Sequence, residues 1–295
     1  MKVLAPAKIN LYLEVVGRRP DGFHELRTIM MPLDFGDEIH LDEAPSGIIL
    51  DAPGCGCPDE NNLAYRAATL FFSATGMRQG VKIRVLKNTP VGAGLGGGSS
   101  DASSVLMGMN ELFAAGLTAR DLADLAGQLG ADCPFFIYGR TMLMGSRGDE
   151  PIEEVSLEDR MYLLVIPPVS ISTARIFSKL SLPLTHDRGR IKIEKIRYHC
   201  IEPERWISND LENVACNIYP ELARIKEELI GSGALEAGMS GSGSAFFGVY
   251  ESEAHLCGAL SRLARHEGYK YIPTTRLTGD IYGDYRGQGV SGQRQ

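Results

Sequence analysis

The stretch Pro90-Val91-Gly92-Ala93-Gly94-Leu95-Gly96-Gly97-Gly98-Ser99-Ser100-Asp101-Ala102 carries the strongest chemical signal in the chain. Five glycines in seven residues let a backbone fold closely around an anion, and they allow the positive φ that a concave nest of N–H groups requires. Ser99 and Ser100 add hydroxyls suited to a phosphate oxygen or a metal ion. Three more residues, distant in sequence, are of types that move protons or offset phosphate charge. Lys8 and Asn10, two apart, share one face if their segment is a strand. Asp132 stands between Gly130 and Pro134 with two aromatics following; a partly buried carboxylate there needs a partner, and Lys8 is a candidate. Phe23-His24 follows a turn and sets an aromatic beside an imidazole.

The elements that must position these residues are legible from periodicity. Val81-Lys82-Ile83-Arg84-Val85 alternates apolar with basic, as a half-buried strand does. Val105, Leu106, Met109, Leu112 and Phe113 then recur at three- and four-residue spacing, which predicts a helix opening near Ser100. The loop thus ends on a helix N-terminus, where unpaired N–H groups and the helix dipole favour a phosphate. Gly92, Gly94 and Gly97 also match the dinucleotide fingerprint G-x-G-x-x-G, but about ninety residues precede them where such a site opens its domain. No Gly-Lys-Ser or Gly-Lys-Thr occurs, which excludes a P-loop. A tight loop that merely needs small residues is the remaining reading.

Elsewhere, Lys8–Val16 reads as a strand and Gly17–Gly22 as a turn. Further strands are predicted near 26–32, 37–41 and 47–50, and a helix from 62 to 71 with Asn61 or Asn62 as its N-cap. Thr118 and Asp121 form a capping box for a helix that stops at Gly130. The charged segment 149–160 contains Pro151 and reads as a boundary before a buried strand at 161–166. Helices follow from Ser172 or Thr173, after Asn209, over 220–230 and over 252–264, with a final strand at 269–274. A second loop, Gly238-Met239-Ser240-Gly241-Ser242-Gly243-Ser244, precedes the apolar run 245–250; two such loops point to two sides of one polar ligand. From Gly279 onward the composition predicts disorder.

With 295 residues the chain has room for two domains and a substantial core. A net charge of -7 argues against a nucleic-acid partner held by a general basic field. The amino terminus lacks a signal-peptide pattern and no segment is long and apolar enough to cross a bilayer, so we expect no membrane partner and a cytoplasmic location. The six cysteines are scattered without zinc-like pairing, and Cys55-Gly56-Cys57 reads as a turn with free thiols.

Pro6-Ala7-Lys8-Ile9-Asn10-Leu11, the 90–102 stretch and Met239–Ala245, in this order and spacing, resemble the three motifs of the GHMP small-molecule kinases, which include galactokinase, homoserine kinase and mevalonate kinase. Gly17–His24, Gly94–Ala102, Leu129–Pro134 and Val169–Phe177 resemble one branch more narrowly: the branch of the non-mevalonate isoprenoid pathway, whose alcohol substrate carries a cytidine diphosphate. The resemblance covers about residues 2–275. It implies an α+β fold of two domains: a ribosomal-protein-S5-like domain over 1–155 and a ferredoxin-like domain over 156–278, with the active site in the cleft between them and a tail over 279–295.

The resemblance also implies roles. Asp132 is expected as the general base for the attacking hydroxyl, with Lys8 orienting it and offsetting charge on the phosphoryl group, and Asn10 holding substrate. Phe23 and Phe177 are expected to sandwich the cytosine, with His24 bonding its edge and Thr173 nearby. Pro90, Val91, Gly92, Ala93, Gly94, Leu95, Gly96, Gly97, Gly98, Ser99 and Ser100 are expected to cradle ATP, with Asn62 and Lys87 near the adenine. Mg²⁺ is expected with ATP, contacted by Ser100, and a homodimer is compatible with the resemblance. Phe23 stands where the family commonly has tyrosine, which removes any contact of a phenol hydroxyl. The rival readings are a sibling kinase of another small alcohol, or a non-catalytic nucleotide-binding sensor.

Overall fold

A computed structural model describes residues 1–55, 57, 59–180 and 202–279. The tail predicted to be disordered lies outside the described residues except for Gly279, as does Cys200. Two long strands organise the first half. β1 (Lys2–Arg18) and β2 (His24–Ala44) form an antiparallel hairpin. The two predicted strands at 26–32 and 37–41 are therefore one, because β-bulges rather than a loop absorb the irregularity. β3 (Ile48–Asp51) and β4 (Gly80–Leu86) extend the sheet beyond the later half of β2, and β5 (Met142–Gly145) with β6 (Glu150–Glu154) beyond its start. The segment 149–160 therefore contains an edge strand; Pro151 is tolerated there because an edge position needs no ladder donor.

Helices α1 (Leu63–Thr75), α2 (Gly97–Leu112), α3 (Ala119–Gly127) and α4 (Cys133–Tyr138) accompany this sheet. The capping box of Thr118 and Asp121 is present, but α3 ends at Gly127 rather than Gly130, since the chain must turn there to set Asp132 ahead of α4. The apolar faces of α1, α2 and α3 bury Phe71, Val105, Leu106 and Leu122 against Val3, Ala5, Ile39 and Ile83.

The second sheet has the order β11-β7-β10-β9, built from β7 (Met161–Ile166), β9 (Glu236–Met239), β10 (Phe246–Tyr250) and β11 (Lys270–Thr275). Helices α5 (Thr173–Lys179), α6 (Asp210–Ile218) and α7 (Glu221–Gly231) lie between β7 and β9, and α8 (Glu253–Arg262) between β10 and β11. This is a split βαβ, the ferredoxin-like arrangement. One strand crosses over: β8 (Ser208–Asn209) pairs in parallel with β1 in the first sheet.

Alternation makes the junction between the sheets. Tyr162, Leu164 and Ile166 of β7 and Phe247 and Val249 of β10 pack with Ala7, Ile9 and Leu11 of β1, whereas Leu163, Val165 and Phe246 face the helices of the second half. On β1 the odd residues Val3 and Ala5 join the helix-side core, but Ala7, Ile9 and Leu11 join the core between the sheets. The switch falls at the register shift between Pro6 and Lys8, where three residues of β2 stand against one of β1 and the strands bend. It also turns Lys8 and Asn10 toward α4 and the glycine loop.

Candidate active site

Lys8 is buried to 3% exposure, and its Nζ donates to Asn10 Oδ1 at 2.6 Å and lies 3.4 Å from Asp132 Oδ2. Asn10 cannot turn away from the ammonium, because its Nδ2 donates to Thr28 Oγ1 at 2.8 Å and Thr28 in turn donates to the Tyr12 carbonyl at 2.7 Å. Thr28 therefore sets the amide that sets the lysine, a role that no sequence signal announced. Asp132 is the residue before α4, makes no capping bond with its side chain, and keeps that side chain 33% exposed to the cleft. Phe135 and Phe136, packed with Met30 and Met144, hold α4 against the sheet and so fix the carboxylate.

The glycine loop passes directly above this pair. It is shorter than the spacing predicts: α2 begins at Gly97, with Gly96 in the left-handed region at φ 72°, so Ser99 and Ser100 belong to the helix. Gly94 and Gly96 are two positions that admit no side chain. A Cβ at Gly94 would lie 2.3 Å from the Ser240 carbonyl oxygen, and one at Gly96 3.0 Å from the Lys8 side chain. Close packing of loop on loop therefore explains part of the glycine content. Ser240 Oγ donates to the Gly94 carbonyl at 3.0 Å, and Ala245 N to the Ala93 carbonyl at 3.0 Å. Asn209 steadies the second loop by donating to the Met239 and Gly241 carbonyls.

Two cavities meet at this point. A groove of 320 Å³ is lined by the backbone of the loop from Pro90 to Ser99, with Asn62, Lys87 and Asp101. A larger cleft of 1090 Å³ is lined by Lys8, Asn10 and Asp132, and further out by Phe23, His24, Thr173 and Phe177. Gly94 and Gly96 line both. The second loop contributes Gly241 and Ser242 to the cleft alone, so both loops line the larger cleft and only the first lines the groove. Arg18 and Arg147 also line the cleft and were not singled out in the sequence.

Several predicted residues are placed differently from expectation. The His24 ring, not that of Phe23, stacks on Phe177, at 4.8 Å and 27°. Phe23 stands 56% exposed with the Arg147 guanidinium 5.3 Å over its ring. The Phe23–Phe177 sandwich is thus not assembled, because the turn projects Phe23 outward while β2 begins at His24. Burial and the nearby Arg18 charge hold His24 below its ordinary value of 6.5. Thr173 Oγ1 lies 2.7 Å from Ser242 Oγ. Ser100 is fully buried, lines neither cavity, and its Oγ has no hydrogen-bond partner among the described residues. Asn62 caps α1, accepting from Ala64 N at 2.9 Å.

Lys87 is flanked by two carboxylates: its Nζ donates to Asp101 Oδ2 at 2.7 Å and to Asp37 Oδ2. Burial opposes its charge, but Asp101 and Asp37 outweigh burial and raise its pKa. Burial pushes Asp101 up to about 7, against Lys87, with the charge of Asp37 adding to the rise. The dinucleotide reading fails on topology: β4, which feeds the loop, runs antiparallel to β2. No group of three or more His, Cys, Asp or Glu side chains suited to a metal occurs among the described residues, and no helix there is long and apolar enough to cross a membrane.

Comparison with known proteins agrees with this architecture. The GHMP kinases N terminal domain model matches residues 62–140, and the GHMP kinases C terminal model residues 201–268. A 4-diphosphocytidyl-2-C-methyl-D-erythritol kinase of Citrifermentans bemidjiense is 41% identical over 272 residues, 91% of this chain and 96% of the relative. Its counterpart in Burkholderia pseudomallei is 39% identical over 88% of this chain and 89% of the relative. A crystal structure of 4-(cytidine 5'-diphospho)-2C-methyl-D-erythritol kinase superposes with a TM-score of 0.76 at 34% identity, covering 94% of this chain and 100% of the other. Homoserine kinase from Cytophaga hutchinsonii, at 17% identity and a TM-score of 0.70 over 94% of each chain, shares the fold. With that identity spanning nearly the whole chain and both halves matched, the chain belongs to the 4-diphosphocytidyl-2-C-methyl-D-erythritol kinase family, a branch of the GHMP kinases.

Proposed function

We propose that this chain transfers the γ-phosphoryl group of ATP to the 2-hydroxyl of 4-diphosphocytidyl-2-C-methyl-D-erythritol. The observation that carries this reading is the pairing of Lys8 Nζ with Asp132 Oδ2 at 3.4 Å, beside the glycine residues common to both cavities. Phosphoryl transfer demands positioning and charge stabilisation more than covalent chemistry. The loop amides of residues 90–99 hold the nucleotide's phosphates in the smaller groove, with Asn62 and Lys87 at its adenine end. The alcohol lies in the larger cleft, its hydroxyl within hydrogen-bond reach of Asp132, which takes the proton as the oxygen attacks. Lys8, fixed by Asn10, orients that carboxylate and offsets charge on the group in transit. At the far end His24, Phe177, Phe23 and Thr173 receive the cytosine.

Mg²⁺ brings charge neutralisation to the phosphates and typically keeps few protein ligands. At the start of α2 the Oγ of Ser100, the contact the resemblance implies, is buried without a hydrogen-bond partner, as are the hydroxyls of Thr89, Thr141 and Tyr162 among the described residues. We divide the chain at 155/156, since the first sheet takes β6 up to Glu154 and β7 opens the second at Met161. A cytoplasmic location is supported by Cys55, Cys57, Cys133, Cys216 and Cys257 all being free thiols. ATP consumption by the purified chain, measured with and without the cytidine substrate, tests the reading. Turnover that needs the substrate is the expected result; turnover indifferent to it would refute the assignment.

A further inference from the structure

Lys87 of the groove is held by two carboxylates that the transfer reaction does not explain. Asp37, at the middle of β2, is completely buried. Its Oδ1 accepts from the backbone N–H groups of Asn88 at 2.6 Å and Thr89 at 2.7 Å, and its Oδ2 from Lys87. Asn88 Nδ2 returns a bond to the Gly36 carbonyl at 2.9 Å. The three residues that enter the glycine loop are thereby fastened to β2. On the other side of the loop, Asp101 on α2 is 4% exposed and accepts from Lys87 at 2.7 Å. Two of the three ammonium N–H groups are thus committed, one to each carboxylate, and the side chain still lines the groove. A surface ion pair would contribute little, but this cation is only 12% exposed and its partners 0% and 6%.

We infer that Asp37 and Asp101 act through Lys87 as a clamp that closes the neck of the glycine loop and so sets the affinity for the nucleotide. The loop between the two anchors is rich in glycine and loses much chain entropy on ordering. Tying its entry and exit to one cation holds the amides in place before the phosphates arrive, and binding to a preorganised site is tighter. Asp37 and Asp101 are positioning residues, since neither is required to touch the nucleotide. The inference rests on the reading of this groove as the ATP site.

The test is direct titration of the whole chain with ATP and ADP, alongside steady-state kinetics for both substrates. Asp101→Asn is expected to weaken nucleotide binding about tenfold, the equivalent of one charge-assisted hydrogen bond. The KM for the cytidine substrate should stay within about twofold, because the clamp does not reach Lys8 or Asp132. A merely structural role would lower the melting temperature and shift both KM values together. Lys87→Met leaves two buried carboxylates facing each other, so adding Asp101→Asn should restore part of the lost affinity. Unchanged nucleotide affinity in Asp101→Asn, or losses that simply add in the double variant, overturns the clamp. If the variants do not fold, hydrogen exchange on the wild-type chain without nucleotide decides: protected amides at Asn88 and Thr89 uphold it, and exchange at unstructured rates ends it. A wild-type chain that consumes no ATP sinks the proposed function instead, a result distinct from a failed clamp in an active enzyme.

Discussion

The two cavities that share Gly94 and Gly96 are built by different means. The smaller groove is lined mostly by one continuous stretch, Pro90–Ser99, joined by residues around Asn62 and by Lys87 and Asp101. The larger cleft is formed by side chains from β1, β2, the start of α4, α5 and the second loop. An amide nest works because glycines leave N–H groups reachable, so it needs composition and a local turn. A proton-transfer pair works because two side chains from distant segments meet within a few ångströms, so it needs the whole tertiary structure. The groove's glycines therefore answer to local sterics, whereas the pairing in the cleft depends on the meeting of distant side chains.

The largest expected effect falls on the cleft. Asp132→Ala should lower kcat about a thousandfold, within the range for loss of a general base, while ATP still binds. ATP turnover with the cytidine substrate and a separate nucleotide titration check this, and a near-normal rate would end Asp132's assignment. The groove should yield next. Gly94→Ala places a Cβ 2.3 Å from the Ser240 carbonyl at a backbone φ of 77°, and left-handed strain alone costs about 1–3 kcal/mol. We expect a lower melting temperature and loss of ATP affinity together; an alanine variant that binds ATP normally would mean the loops need no such contact.

A smaller change separates the two ends of the cleft. His24→Ala removes the ring stacked on Phe177 and should raise the KM for the cytidine substrate about tenfold with that for ATP unaltered. Equal rises in both would argue that the outer cleft is not a base site. The smallest effect is on stability against pH. His24 is held below its ordinary value of 6.5 by burial and by Arg18, so the folded state binds this proton less well than the unfolded chain. Stability from this group is present above the unfolded value and is lost as pH falls from there through the lower folded value. Melting curves between about pH 7.5 and 5.5 should show a steeper decline for the wild type than for His24→Gln. Parallel declines would place the histidine in free solvent.

Much of the fold follows from local pattern. The predicted strands at 81–85, 161–166 and 269–274 and the capping box at Thr118 recur, and of the alternatives Asn61 or Asn62 and Ser172 or Thr173 the caps are Asn62 and Ser172, because alternation and capping act within a few residues. The misjudged elements depend on partners. β5 pairs with a strand more than a hundred residues earlier and β6 only with β5, and neither carries a local period, so the segment around Pro151 reads as a boundary in the sequence. The start of α2 lies earlier than the spacing predicts because glycines hide a helix from propensity arguments, while Thr89 and Leu63 pack on its first turn.

By itself the sequence determined which residue types were available and where: a glycine ribbon ahead of an amphipathic helix, a lysine and an amide two apart, a carboxylate before a proline. Those are properties of neighbours along the chain, and short-range sterics and hydrogen bonding settle them. Only the tertiary structure decided that Lys8 meets Asp132, that His24 lies on Phe177, and that Lys87 sits between Asp37 and Asp101. The physical reason is that strand register and bulges choose which face each side chain takes. In β1 the change of face falls at the irregular register between Pro6 and Lys8, beyond which Lys8 and Asn10 line the cleft with Gly94 and Gly96.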